Sequence, residues 1–380
     1  MKRLGLRTFR GGVHPDDGKK LSASQSLSSM EAGELLFYSL SQHIGAPAKP
    51  LVGKGDCVLR GQKIAEAGGF VSAPVHASVS GTVREIRRMR MPAGNTADCI
   101  VVENDGEMKE TAFEPSDYSR LSGKEILRKI SEAGVTGMGG AGFPTHVKLS
   151  PKEPDKIDYI LINGAECEPY LTSDYRRMLE NPDMVVEGLK ILLRIFPGAK
   201  GVICVEDNKK DCAKALEQAA EGCPDIRIQL LKTKYPQGAE RMLIFAVTGR
   251  KINSSMLPAD VGCIVDNVET AAAVYRAVAL GEPGMDRTMT ISGDAAASPG
   301  NYVVPIGMLF EEVLEKAGGA LGEPEKMIAG GPMMGNALFE LQVPVTKTSS
   351  ALLLFGKDPV SRQTPSACIN CGRCMEACPG

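Results

Sequence analysis

The sequence predicts a multidomain α/β protein. Three observations carry that reading. Short β-type runs broken by glycine turns fill residues 1–113, and strand and helix patterns alternate regularly over 122–283. A mixed α+β stretch, 285–355, then precedes a cysteine-rich end at 362–380. At 380 residues the chain is too long for one ordinary core, and two to four domains are expected.

In the first region, Cys57–Leu59, Lys63–Glu66, Val75–Val79 and Thr82–Ile86 read as strands punctuated by Gly-Asp, Arg-Gly and Ser-Gly turns. Segment 51–86, with Gly55–Val58, Gly61–Ala65 and Ser80–Val83, resembles the biotinyl/lipoyl-type barrel-sandwich domain. Such carriers place a modifiable lysine at a hairpin tip. Here the tip is Gly68-Gly69-Phe70, so the domain is read as scaffold or docking surface. Arg84, Arg87, Arg88 and Arg90 form a basic cluster, read as a solvated face with an acidic partner site as the alternative.

From 122 to 283 the pattern predicts a Rossmann-like α/β domain. Lys156–Asn163 is a buried strand. Asn181-Pro182 caps and opens a helix with apolar residues at Val185, Leu189, Leu192, Leu193 and Phe196. Gly201–Val205 is a strand, and Asn208 is expected to cap a helix over Cys212–Ala220. Strand Ile226–Leu231, a helix around Glu240–Val247, strand Gly262–Asp266 and helix Val268–Leu280 complete the alternation. That order implies a mainly parallel sheet with helices on both faces and ligands beyond the carboxyl ends of its strands. Residues 285–355 read as α+β and resemble a β-grasp (soluble-ligand-binding) unit. Its strands Thr288–Ser292 and Tyr302–Val304 are joined by a type II turn at Ser298–Asn301, and helix Met308–Lys316 and strand Lys326–Ala329 follow. It is read as a spacer that positions the cysteine region.

Composition narrows the function. A formal charge of −2, from 44 basic and 46 acidic residues, gives no electrostatic case for nucleic acid. The first residues lack the apolar stretch of a signal peptide, and no apolar run approaches the ~20 residues that span a bilayer. Any membrane link is therefore expected through a partner. With four His, histidine-rich metal catalysis is disfavoured. Seven scattered cysteines (57, 99, 167, 204, 212, 223, 263) read as reduced packing thiols.

The last thirteen residues are different. Cys368, Cys371, Cys374 and Cys378-Pro379 make C-x₂-C-x₂-C-x₃-C-P, the bacterial ferredoxin spacing for a [4Fe–4S] cluster. Thiolates suit iron–sulfur iron, whereas a zinc knuckle usually pairs two C-x₂-C units across a longer gap. In two-cluster ferredoxins the fourth cysteine ligates the other cluster. Cys378 is therefore expected to serve a second cluster whose remaining ligands lie beyond residue 380, leaving the ligand set incomplete here.

Gly134–Pro144 is the second dense motif. Gly137, Gly139 and Gly142 satisfy G-x-G-x-x-G, yet a helical stretch precedes it and Pro144 follows, the reverse of the dinucleotide fingerprint. A glycine-rich loop still lets backbone N–H groups approach a phosphate or a flat ring. The alternative is a tight turn. Lys148 could supply a cation. At the end of the first strand, Asn163–Pro169 sets Glu166 and Glu168 where α/β ligands bind. Such acids accept ribose hydroxyls and disfavour an added phosphate, and the alternative is a polar loop with an N-cap role.

Gly137–Pro144, Asn163–Pro169, Tyr235–Glu240 and Asp266–Thr270 together resemble, in the same order, the FMN- and NADH-binding subunit of respiratory complex I. With Gly11–Pro15, Gly330–Gly335 and the ferredoxin-type tail, the whole chain resembles the C-subunit family of Rnf electron-transport complexes. The resemblance implies that Gly137, Gly139, Gly140, Lys148, Asn163, Asp266, Asn267 and Thr270 contact FMN. It implies that Phe143, Glu166, Glu168 and Glu240 line the NADH side, with Tyr235 also at the cofactor site. It further implies hydride exchange between NADH and FMN, then single electrons to [4Fe–4S] clusters and, indirectly, ferredoxin. The expected partners are the membrane and iron–sulfur subunits of the complex, with this chain peripheral on the cytoplasmic side of the cell membrane. Met138 stands where the complex I loop commonly has Arg, Ala165 where it has Asp, and Asp266 where it has Asn. Two alternatives stay open: a cobalamin reductase-type flavin and iron–sulfur enzyme, which the long amino-terminal barrel argues against, and a non-catalytic docking scaffold.

Overall fold

The computed structural model describes residues 5–358 and 362–379. Residues 1–4 of the expected amino-terminal domain and Gly380 of the cysteine tail lie outside them. The middle of the chain forms a four-stranded parallel sheet in the order Ile226–Leu231, Lys200–Glu206, Tyr159–Gly164, Cys263–Asn267. These strands read as nearly unbroken apolar runs because both faces are covered. On one face Ile160, Ile162, Ile203, Val205 and Ile228 pack with residues of helices Gly123–Glu132, Pro182–Ile195, Lys210–Ala219 and Val268–Tyr275. On the other, Leu161, Val202, Cys204 and Val265 meet Leu243, Ile244 and Val247 of helix Glu240–Thr248.

Sheet order decides where a ligand can sit. The chain steps outward through its first three strands, then returns to place Cys263–Asn267 on the far side of Tyr159–Gly164. Connections therefore diverge between these two strands, leaving a crevice at their carboxyl ends, the topological switch point. Asn163 and Asn267 are register partners there.

Two β layers flank this domain. The barrel-sandwich pairs a sheet of Leu35–Ser39, Thr96–Asn104, Gly81–Arg90 and Cys57–Val58 with a sheet of Lys49–Pro50, Lys63–Glu66 and Val75–His76. Its Gly68–Phe70 tip leaves Phe70 71% exposed. The Phe70 carbonyl lies 3.3 Å from His146 Nε2, beyond the glycine loop. The β-grasp sheet runs Leu27–Ser29, Gly300–Pro305, Asp286–Ser292, Ala351–Phe355, Lys326–Ala329, Asn336–Leu338, with helix Phe310–Lys316. Its first strand comes from the amino-terminal segment and pairs in parallel with Gly300–Pro305. One apolar cluster joins barrel residues Leu36, Tyr38, Ile100 and Val102 to Val304, Ile306, Met308 and Phe310. The two β layers therefore share a core.

Some local expectations change. Asn208 does not cap helix Lys210–Ala219, which starts after Lys209; Lys209 turns its amine back toward Asn208, Glu206 and Ala165. Asn181 occupies the N-cap position, but its side-chain oxygen accepts from Arg177 instead. Gly300 opens a strand without a left-handed φ; the loop turns at Gly293 (φ 110°), so no type II turn forms at Ser298–Asn301. Helix Val268–Tyr275 continues as a π-helical turn, Arg276–Leu280, where Arg276 pairs with Glu282 and Asp286. Among the basic cluster, Arg84 pairs with Glu103, Arg87 with Glu85, Arg88 with Asp98 and Arg90 with Glu340, all on the surface. No helix among the described residues is long and apolar enough to cross a membrane.

Candidate functional site

The glycine loop lies over the switch point. Helix Gly123–Glu132, opened by a Ser122/Glu125 capping box, delivers the chain to it. The loop closes on itself where Gly137 N–H donates to the Phe143 carbonyl (2.8 Å). It is fastened to the first turn of helix Val268–Tyr275, where Met138 N–H donates to Thr270 Oγ1 (3.0 Å), and to the β-grasp strand Asp286–Ser292, where buried Arg287 donates to the Met138 carbonyl (3.0 Å). Gly139 backs onto Asn267: a Cβ there would lie 2.8 Å from Asn267 Cβ. Gly139 and Gly140 are exposed, and nothing lies within 4 Å of the Cβ position at Gly140. The loop thus offers bare backbone toward open space, a surface a flat ring or phosphate can approach.

Beneath it, Lys148 on the short helix Thr145–Lys148 donates to the Val265 carbonyl (2.7 Å) and to Asp266 Oδ1 (3.1 Å). Burial lowers the Lys148 pKa, but Asp266 and Glu240 more than offset that and raise it, so the ammonium is held charged. Burial pushes Asp266 up against the opposing pull of Lys148. Its Oδ2 is buried with no hydrogen-bond partner among the described residues. Asn163 accepts from Ala165 N–H (3.1 Å) and donates to the Gly238 carbonyl (2.8 Å), joining the first strand to the Tyr235–Glu240 loop. Glu240 opens the following helix at the exposed edge.

The two acids part company. Glu168 Oε2 accepts from Met333 N–H (3.0 Å) in the Gly330–Gly335 loop, while its Oε1 is buried without a hydrogen-bond partner among the described residues. Glu166 turns into the protein. Its side chain is 3% exposed, its Oε1 accepts from Asp174 N–H (2.7 Å), and its Oε2 lies 3.9 Å from Lys19 Nζ. The structure therefore brings Gly137, Gly139, Gly140, Lys148, Asn163, Asp266, Asn267 and Thr270 around one crevice. Phe143 is half-buried at the end of the loop, Tyr235 pairs with Val13 at the neighbouring one, and Glu166 faces the interior. Orphaned acceptors on Asp266, beside the strand end that the glycine loop backs onto, and on Glu168 fit FMN and a dinucleotide, both rich in hydroxyl donors.

Sequence reading missed the residues behind this surface. Asp174 Oδ2 accepts from Asn267 Nδ2 (2.7 Å), and burial together with Glu166 and Glu269 pushes its pKa up to about 7. Lys19 and Lys209 are buried beneath the acidic loop. No local pattern signals Lys19, which sits 147 residues from Glu166 in sequence.

The cysteine tail is less formed. Helix Arg373–Ala377 rests on the amino-terminal segment, where Gly12 N–H donates to the Ala377 carbonyl (2.8 Å). Cys368, Cys371, Cys374 and Cys378 are all exposed. Among the described residues no three His, Cys, Asp or Glu side chains are grouped to hold a metal ion. The four thiols as placed do not make a cluster ligand set.

Comparisons with known proteins agree with this architecture. Residues 7–107 match the RnfC barrel sandwich hybrid domain, residues 130–276 the Nuo51 FMN-binding domain, and residues 288–337 the SLBB domain. The chain is 47% identical to the C subunit of the proton-translocating ferredoxin:NAD(+) oxidoreductase complex of Clostridium ljungdahlii, covering 98% of this chain and 82% of that one. It is 42% identical to the Na(+)-translocating counterpart of Acetobacterium woodii, covering 98% and 84%. Against the C subunit of the ion-translocating oxidoreductase complex of Haemophilus influenzae strain PittEE it is 38% identical, covering 98% and 58%. Among solved structures, a chain of an NAD⁺-reducing [NiFe]-hydrogenase in the H₂-reduced state shares the fold at 23% identity. Its TM-score is 0.53, over 65% of this chain and 49% of that one.

Proposed function

We propose a function from one premise: the chain belongs to the C-subunit family of the ion-translocating ferredoxin:NAD(+) oxidoreductase complexes. It is an oxidoreductase subunit of a larger assembly, and its cofactors are FMN, NAD and iron–sulfur clusters. Within that frame, its own task is to bring NADH and FMN together, so that a hydride passes between them in either direction. FMN supplies the ability to accept a hydride and release electrons singly. The coupled ion, Na⁺ or H⁺, crosses through other subunits. This chain sits against the cytoplasmic face through them.

The observation that carries the reading is the bare Gly139–Gly140 backbone held over the switch point between Asn163 and Asn267. Gly137, Gly139 and Gly140 would face the flavin without Cβ obstruction. Lys148 would carry positive charge beside its polar chain. Asn163, Asp266, Asn267 and Thr270 would hold its hydroxyls and phosphate. Glu168, with one oxygen unpartnered, would take ribose hydroxyls of NADH and repel a 2′-phosphate. Phe143, Tyr235 and Glu240 would border that side. Glu166, turned inward, would support the loop rather than touch the nucleotide.

A visible spectrum tests this. FMN added to the anaerobic protein should be retained through desalting, and NADH should bleach its band near about 450 nm, while NADPH should act far more weakly. A protein that stays colourless and ignores both ligands would leave the docking-scaffold reading standing.

A further inference from the structure

Lys19 is buried in the amino-terminal segment, far from the glycine loop in sequence. An ammonium has three N–H donors. Those of Lys19 reach three backbone carbonyls of one loop: Glu166 (3.0 Å), Glu168 (2.9 Å) and Leu171 (2.5 Å). Its charge is balanced by the Glu166 carboxylate at 3.9 Å. A second buried ammonium, Lys209, takes the carbonyl of Ala165 (3.1 Å).

The clamped loop is strained. Glu166 (φ 40°) and Tyr170 (φ 67°) are left-handed without being glycine. Such residues persist only where their surroundings over-determine them. The segment around Lys19 does so at several points. Tyr170 N–H donates to the Asp17 carbonyl (2.6 Å), Gly18 leaves no room for a Cβ beside the Tyr170 ring, and Ser22 Oγ meets Thr172 Oγ1 at 2.7 Å. Glu168 lies between the two strained residues, within the span the ammonium ties.

We infer that Lys19 is a positioning residue for NADH: it holds the Glu166–Leu171 loop in a strained shape that presents Glu168 to the nucleotide. This rests on the function proposed above and goes beyond it. Lysine suits the role because its donors diverge from one nitrogen toward carbonyls around it. A planar guanidinium cannot place three donors that way.

The test uses the full chain loaded with FMN, with hydrogen exchange and NADH-driven ferricyanide reduction as readings. In Lys19→Met the three carbonyls lose their donor. Amides of 166–171 should exchange about tenfold faster or more, and KM for NADH should rise about tenfold or more. Exchange in strand Tyr159–Gly164, FMN affinity and kcat at saturating NADH should stay within about threefold of the parent. Lys19→Arg keeps the charge but should leave KM raised. If Lys19→Met does not fold, Lys19→Arg carries both readings. Unchanged loop exchange, an unchanged KM, a loss of FMN affinity equal to that for NADH, or full rescue by arginine would each overturn the inference. Parent protein whose flavin ignores NADH would instead sink the proposed function, and the exchange comparison would still decide whether Lys19 clamps the loop.

Discussion

Asn267 Nδ2 donates to Asp174, and this pair joins the cleft to the buried charges below it. The Asp174 carboxyl titrates at about 7, raised by burial and by Glu166 and Glu269, against an unfolded value near ~3.9. Between those values the folded state holds more protons than the unfolded chain. The associated stability is full below about pH 4 and is lost as pH rises through about 7. Asp174→Asn removes this titration while keeping an acceptor for Asn267. Urea unfolding at pH 5 and pH 8 should therefore show a smaller fall for the variant than for the parent; equal falls would remove Asp174 as the cause. Glu168→Gln addresses the neighbouring acid. Its amide oxygen can still accept from Met333 N–H, so the loop should stay in place. Losing the charge should weaken NADH about tenfold or more and leave FMN binding largely intact. Equal loss of both ligands in titration would overturn that assignment.

Among the elements, two helices decide how well the crevice is held. Pro182–Ile195 crosses Val268–Tyr275 at Gly188, where a Cβ would lie 1.9 Å from the Ala271 carbonyl oxygen. Close approach of the backbones requires glycine there, although glycine is a poor helix former. The second helix begins at Val268, with Asn267 as its N-cap and Thr270 in its first turn, so its position sets two crevice residues. Gly188→Ala should cost about 1–3 kcal/mol in urea unfolding. FMN affinity should fall with it, because the helix cannot move without carrying Asn267 and Thr270. A loss within about 0.5 kcal/mol, the range of ordinary surface changes, would mean the helices re-space freely.

For the whole molecule, the shared core of the two β layers matters more than their separate folds. Barrel strand Leu35–Ser39 donates Phe37 N–H to the Gly307 carbonyl (2.8 Å), and Ser78 Oγ donates to the Ile306 carbonyl (2.8 Å). Phe310, fully buried, belongs to the β-grasp helix yet lies in the cluster that contains Leu36 and Ile100. Phe310→Ala should cost about 3–5 kcal/mol. Hydrogen exchange should quicken in barrel strands Lys63–Glu66 and Thr96–Asn104 together with Asp286–Ser292. Barrel protection unchanged while the β-grasp sheet loosens would show two independent cores.

The sequence by itself determined the order of the parts. Strand and helix periods, the glycine run and the paired acids are local patterns, because a strand's burial or a loop's freedom from Cβ is written in neighbouring residues. The α/β core and the glycine loop were legible in that way, whereas the barrel-sandwich and the β-grasp unit were legible through their resemblance to known domains. Tertiary structure alone decided that Cys263–Asn267 returns beside Tyr159–Gly164, which creates the crevice. It also decided that Leu27–Ser29 extends a sheet formed near residue 300 and that Lys19 lies under Glu166. The direction of Glu166 was equally hidden: with a left-handed backbone its side chain turns inward toward Lys19, while Glu168, two residues on, reaches the Gly330–Gly335 loop. Such outcomes depend on partners more than a hundred residues away and on backbone angles that residue type only biases, so no local period records them.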